Sequence, residues 1–158
     1  MMTSATPVPR YVRAANVLTR NLLRAGLPMY GPGHSPMYLL TVRGRKSGGP
    51  RTTPIATIEQ DGERYLMTPY GVVDWVRNLR AAGEATLTRG RRPEKFRAIE
   101  LPPGEAAVVL KRFIETGNPI GRFFDITAGA SDEEFARTAE THPVFLVKTR
   151  FPVNSAAM

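Results

Sequence analysis

The sequence predicts a mainly β domain of the α+β class, an antiparallel barrel of about six strands with helices around it. Three observations carry this. Short apolar, β-branched runs are separated by tight-turn signals. The runs come as hairpins and do not alternate regularly with helices, which disfavours a doubly wound parallel sheet. The chain has 158 residues, 42% hydrophobic and 23% charged, enough for one domain with a real core.

Taken in order, residues 1–9 are small and proline-bearing and read as a disordered leader. Residues 10–25 read as an amphipathic helix ended by Gly26, with Pro28 just beyond. At 100° per residue, Tyr11, Ala15, Leu18, Leu22 and Ala25 fall within about 80° of one another, and Arg10, Arg13, Arg20 and Arg24 share a second arc. The plain expectation is a helix packed on the domain with its arginines solvated. The sharper one is a basic helix resting on an anionic membrane.

Residues 31–36 are a loop by composition, and strands are expected over 38–42, 53–59 and 64–68. Asp61-Gly62 makes the tight turn between the last two. A short helix over 73–82 has Asp74 near its start, where a carboxylate suits the helix dipole, and Gly83 at its end. Strands over 85–89 and 96–101 flank the basic turn 90–93. A helix over 103–115 is stopped by Gly117 and Pro119, and Ser131-Asp132-Glu133-Glu134 resembles a capping box for another. A last strand covers 144–148. The single domain thus spans 10–150, and 151–158 read as a loose tail.

There are 22 Lys+Arg against 14 Asp+Glu, a net charge of +8, which favours anionic partners. The charge is spread over several elements and no nucleic-acid motif occurs, so nucleic acid is not an expected partner. Cysteine is absent, which removes disulfides and thiolate chemistry. His34 and His142 have no carboxylate at a ligand-like spacing, and no metal is expected. Without a signal peptide or an apolar run of roughly 20 residues, the expected location is cytoplasmic, with peripheral membrane contact through the first helix as the variant.

The most informative stretch runs from Arg43 to Arg51, where four cationic side chains and three glycines share nine residues between two strands. Glycines expose backbone N–H groups to a close ligand, and arginine and lysine bind phosphate or carboxylate oxygens. It is no Walker element, because Lys46-Ser47 precede the closing Gly48 and a strand follows. Neither a G-x-G-x-x-G fingerprint nor a G-x-S-x-G elbow occurs. Chemistry supplied by a bound cofactor needs neither.

Gly44-Arg45-Lys46-Ser47-Gly48-x-Pro50-Arg51-x-x-Pro54, the Asp61-Gly62 hairpin and Trp75-x-x-Asn78-Leu79-Arg80-Ala81 together resemble the deazaflavin-dependent nitroreductase family. These are actinobacterial oxidoreductases, including quinone reductases, that use coenzyme F-420, an 8-hydroxy-5-deazaflavin. The resemblance covers residues 38–101 and extends weakly to 142–147. It implies a split β-barrel like that of FMN-binding proteins. It also implies that Arg45, Lys46, Ser47 and Arg51 hold the cofactor's phosphate and acidic tail, and that Thr52, Thr53, Pro54, Ile55 and Ala56 run along it. By the same resemblance Met67, Thr68, Pro69 and Tyr70 line the ring, with Asp74, Trp75 and Asn78 near ring and linker.

Trp75 and Asn78 also have plainer readings, as a core aromatic and as a partner for a buried carbonyl. The chain departs from better-known members at Gly71-Val72-Val73-Asp74, which is short. It has Tyr70 where some relatives carry lysine. Gly121-Arg122-Phe123-Phe124-Asp125 stands in place of a tyrosine-rich segment, so activation of nitroimidazoles is not implied. The expected activity is hydride transfer from the reduced cofactor to a lipophilic acceptor such as a quinone or enone. Tyr70, or else Tyr30 or Tyr38 if folded over the pocket, is the candidate hydrogen-bond donor to that acceptor. The alternatives are an FMN-binding split-barrel flavoprotein and a non-catalytic binder of cofactor or lipid. The oligomeric state is left open.

Overall fold

The computed structural model describes residues 8–149, and the tail and all but the last two residues of the leader lie outside them. Four helices, α1 (Arg10–Arg24), α2 (Asp74–Ala82), α3 (Pro103–Glu115) and α4 (Asp132–Thr141), surround one sheet. Its strands are β1 (Met37–Arg43), β2 (Pro50–Ala56), β3 (Ile58–Gln60), β4 (Glu63–Leu66), β5 (Glu84–Arg89), β6 (Arg92–Glu100) and β7 (Phe145–Thr149). Short 3-10 turns occupy Pro32–His34 and Pro119–Phe124, which the sequence reading left as loop.

All strand pairings are antiparallel, in the order β2-β1-β5-β6-β7-β4-β3. β2 and β3 are therefore the two edges of the sheet, yet only Thr57 separates them in the chain. The sheet has to curl until its edges meet at that residue. This is a barrel left split where β2 and β3 diverge, as expected. The strand expected over 53–59 is really two, because the backbone turns at Thr57, whose N–H donates to the Pro36 carbonyl at 3.1 Å. That split accounts for seven strands where about six were expected.

Local chemistry fits the elements. Pro50 and Pro54 lie in edge strand β2, where a missing N–H costs no ladder bond on the open side. The β3–β4 turn places Asp61 and Gly62 at positive φ, and the β5–β6 turn does the same with Gly90 and Arg91. Arg92 and Pro93 belong to β6 instead of the turn; β7 pairs only with residues 96–100, so Pro93 sits where β6 has one neighbour. Gly83 caps α2 with a left-handed φ of 74°, and Ser131 and Glu134 form the reciprocal capping box of α4.

Two apolar clusters hold this together. One gathers Leu40, Leu66, Leu87, Phe96 and Phe145 from the strands with Val76 and Leu79 of α2. Val76 and Leu79 are fully buried, worth about 1.5–3 kcal/mol each, and so fix the face of α2 that carries Asn78. The second cluster lies under α3 and α4 and includes Leu110, Phe113, Phe124, Phe135 and Val144.

The first helix departs from expectation. It packs on β1 and β2 through buried Leu23, with Val12, Asn16, Thr19 and Leu22 partly covered. Most of the apolar arc is open: Tyr11 is 70% and Leu18 62% exposed, and Ala15 and Ala25 are exposed too. The physical reason lies in the neighbours. Arg91, at the β5–β6 turn, donates through Nη2 to the Ala25 carbonyl at 3.2 Å. That contact and the seat of Leu23 fix the roll of the helix.

Candidate functional site

The basic loop, residues 44–49, is folded by its own backbone. Gly44 N–H donates to Gly49 O at 2.7 Å and Gly48 N–H to Gly44 O at 2.8 Å, with Gly48 at φ 75°. A Cβ at Gly44 would lie 3.1 Å from Ser47 Oγ and 3.3 Å from Arg51 Cγ and Nε. The missing side chain lets Ser47 and Arg51 fold over the loop.

Arg45 is held from the neighbouring helix. Its backbone N–H and its Nη1 donate to Asn78 Oδ1 at 3.1 and 2.7 Å, and Nη2 lies 3.4 Å from Asp74 Oδ1. Asn78 is buried, so one side chain fixes both loop and guanidinium. The Asp74 contact is weak, because that carboxylate is 83% exposed and shared with Arg77 at 3.7 Å. Lys46 and Arg51 have no ion pair among the described residues.

The loop opens onto a cavity of about 860 Å³, in the size range of ligand sites. Arg45, Lys46, Ser47, Arg51, Thr52, Thr53, Pro54, Ile55, Ala56, Met67, Thr68, Pro69, Tyr70, Asp74, Trp75 and Asn78 all line it. None of the expected residues falls elsewhere. Trp75 fits both its readings, lining the cavity while its ring lies 6.0 Å from that of core residue Phe145. Asn78 Oδ1 accepts from the loop's N–H, so the backbone group it satisfies is a donor and not the carbonyl of the plainer reading.

Tyr70 is set by a side-chain turn, its N–H donating to Thr68 Oγ1 at 3.2 Å, and its ring lies 6.5 Å from that of Phe123. Burial, and next the neighbouring Tyr11, push the Tyr70 phenol above its usual range, so it keeps its proton and can donate. Tyr30 and Tyr38 do not line this cavity, and Arg89 lies over both rings, at 4.7 and 5.7 Å from their centroids.

Sequence reasoning missed the rest of the lining. Val8, Val12, Arg13 and Asn16 come from the start of the chain, and Phe113, Asn118, Ile120 and Phe124 from α3 and the turn after it. The one available signal was Asn16, a polar residue between Val12 and Leu23 on the covered face of α1. Among the described residues no three His, Asp or Glu side chains cluster as metal ligands.

Residues 18–120 match the model of the F420H(2)-dependent quinone reductase family. The chain belongs to this family. The reductase is accordingly an oxidoreductase whose cofactor is coenzyme F-420. The residues present fit that group: the loop has the donors that an anionic phosphate and tail require, and the cavity beside it is lined by apolar and aromatic side chains suited to a ring.

Solved structures share the fold. A chain described as a domain-swapped dimer is 22% identical, covering 87% of this chain and 97% of its own, with a TM-score of 0.53. The F420-H2 dependent reductase FDR-A is 22% identical over 71% of this chain and 93% of its own, with a TM-score of 0.47. The conserved hypothetical protein Rv2991 of Mycobacterium tuberculosis is 16% identical, covering 96% and 86%, with a TM-score of 0.44. At these identities the likeness is one of fold. No curated protein matches the reductase in sequence.

Proposed function

We propose that the cavity is the site where the reductase passes a hydride from reduced coenzyme F-420 to a lipophilic acceptor, a quinone or enone. The observation that carries this is the convergence of a basic loop and an apolar wall on one cavity. Arg45, Lys46, Ser47 and Arg51 hold the phosphate and acidic tail, and residues 52–56 run along the cofactor. Met67, Thr68, Pro69 and Tyr70 face its ring, while Asp74, Trp75 and Asn78 lie near ring and linker. When bound, the reduced deazaflavin supplies the hydride.

The chain supplies everything else. Asn78 holds Arg45 in place before the ligand arrives, so little ordering remains to be done on binding. Met67, Phe113, Ile120 and Phe124 keep water from the reacting faces. Tyr70 donates a hydrogen bond to the acceptor oxygen, where negative charge develops.

The test is a titration with reduced coenzyme F-420 followed by a quinone and enone screen. Micromolar binding, lost in Arg51→Ala and Lys46→Ala, with oxidation of the reduced cofactor by one acceptor class, is the expected result. Tight binding indifferent to both substitutions would sink the assignment, and a protein that purifies yellow with FMN would replace the cofactor.

A lipophilic acceptor also suits the exposed apolar arc of α1. Tyr11 and Leu18 project from the helix that walls the cavity, and its arginines lie on another arc. None of the described helices is long and apolar enough to cross a membrane. In this reading the reductase works in the cytoplasm and rests peripherally on the inner face of the membrane through this helix. Flotation with anionic but not neutral vesicles is expected, and equal flotation with both would remove the charge-based part of the reading.

A further inference from the structure

We propose that His142 is a positioning residue that joins Phe124 to Pro69 of the cavity lining and holds the segment bearing Tyr70. It lies beyond the residues matched by the family model and does not itself line the cavity. The proposal rests on the reading of that cavity as the reaction site.

His142 caps the C-terminus of α4, its backbone N–H donating to Thr138 O at 3.1 Å. Its ring is placed by three contacts. Nε2 lies 3.2 Å from the carbonyl oxygen of Pro69, and Nδ1 lies 2.9 Å from Thr138 O and 3.0 Å from Thr141 Oγ1. A carbonyl only accepts, so Nε2 must carry a hydrogen to bond Pro69. With that hydrogen on Nε2, Nδ1 can accept from the Thr141 hydroxyl, whose other acceptor is Thr138 O at 3.2 Å. The bond to Pro69 thus requires the Nε2–H form of the ring.

Two further contacts show that this is a junction. The imidazole lies 5.2 Å from the ring of Phe124, which also lines the cavity. Two residues after Pro69, Gly71 takes a φ of 78° against the end of α4, where a Cβ would come within 3.2 Å of Thr141 O. The α4 terminus thus grips residues 69–71 from both sides of Tyr70. A shift of this segment would carry the Tyr70 hydroxyl out of line, and small displacements of a positioned group cost rate steeply.

Two substitutions and one wild-type spectrum test this. His142→Leu keeps apolar bulk beside Phe124 and loses the donor. Hydrogen–deuterium exchange over residues 68–73 should rise by about tenfold, and kcat with 2-methyl-1,4-naphthoquinone should fall by about fivefold to tenfold, the scale of one hydrogen bond. KM for the quinone should change little. His142→Gln, whose amide can donate to Pro69, should recover both to within about twofold. Wild-type exchange in the leucine variant, or a glutamine variant as impaired as leucine, overturns the proposal. If the leucine variant fails to fold, the ¹⁵N spectrum of the wild-type histidine rings decides: a protonated Nε2 at His142 is required, and a bare one refutes the bond. Deazaflavin binding read alongside separates the two ideas. An intact exchange effect in a protein that binds no deazaflavin condemns the cavity assignment alone, whereas normal binding without the exchange effect condemns the latch alone.

Discussion

The two ends of the cavity are built in opposite ways. The basic end is local: residues 44–49 form one turn between adjacent antiparallel strands, braced by Asn78 of the helix packed beside it. The apolar end is assembled from distant segments, with Val12 at one extreme of the chain and Phe124 toward the other. A charged ligand end can be read from a short motif, because glycine and arginine at set spacing already imply the chemistry. An apolar pocket cannot, because any buried leucine or phenylalanine would serve equally well in the core.

If the contrast is real, damage at the two ends should separate cofactor binding from stability and acceptor use. The largest effect is expected for Lys46→Ala combined with Arg51→Ala. Losing two charge-assisted bonds, about 1.5–3 kcal/mol each, should weaken cofactor binding by roughly a hundredfold or more, seen by fluorescence titration, with thermal stability unchanged. Phe124→Ala should do the reverse. A buried aromatic costs about 3–5 kcal/mol of stability when truncated, visible in urea denaturation, while cofactor affinity falls far less. Equal damage to both properties in either variant would break the comparison.

Smaller effects sharpen it. Asn78→Ala strips Arg45 of its acceptor and should weaken cofactor binding by about tenfold, the scale of a buried hydrogen bond to a charged group. Tyr70→Phe keeps the ring wall and should lower kcat by about tenfold at unchanged cofactor affinity. The wild-type hydroxyl donates only while protonated, and burial raises its pKa, so its contribution is present at neutral pH and lost only as pH rises above the ordinary phenol range. The phenylalanine variant should lack that alkaline decline in a pH–rate profile. Smallest of all, Leu18→Ser should leave stability within about 0.5 kcal/mol, since Leu18 is 62% exposed, while lowering the share bound to anionic vesicles.

Much of the barrel was legible because hairpin signals are local. Asp61-Gly62 and Gly90-Arg91 mark turns whose positive φ values the structure shows. The break at Thr57 was not legible, because a run rich in β-branched residues gives no sign that its two halves form the two edges of one sheet. The roll of α1 was missed for a related reason. Its periodicity identified an apolar arc, but a helix buries the face its neighbours can cover, and Leu23 with the Arg91 contact decided that face.

By itself, then, the sequence determined the antiparallel class, the turns, and a basic, glycine-rich loop between two strands, because each is written in residues close together. The tertiary structure alone decided that the sheet curls to meet at Thr57, that α1 and Phe124 complete the cavity, and that His142 reaches back to Pro69. Those contacts join residues tens of positions apart, and only the packed chain brings such partners within reach of one another.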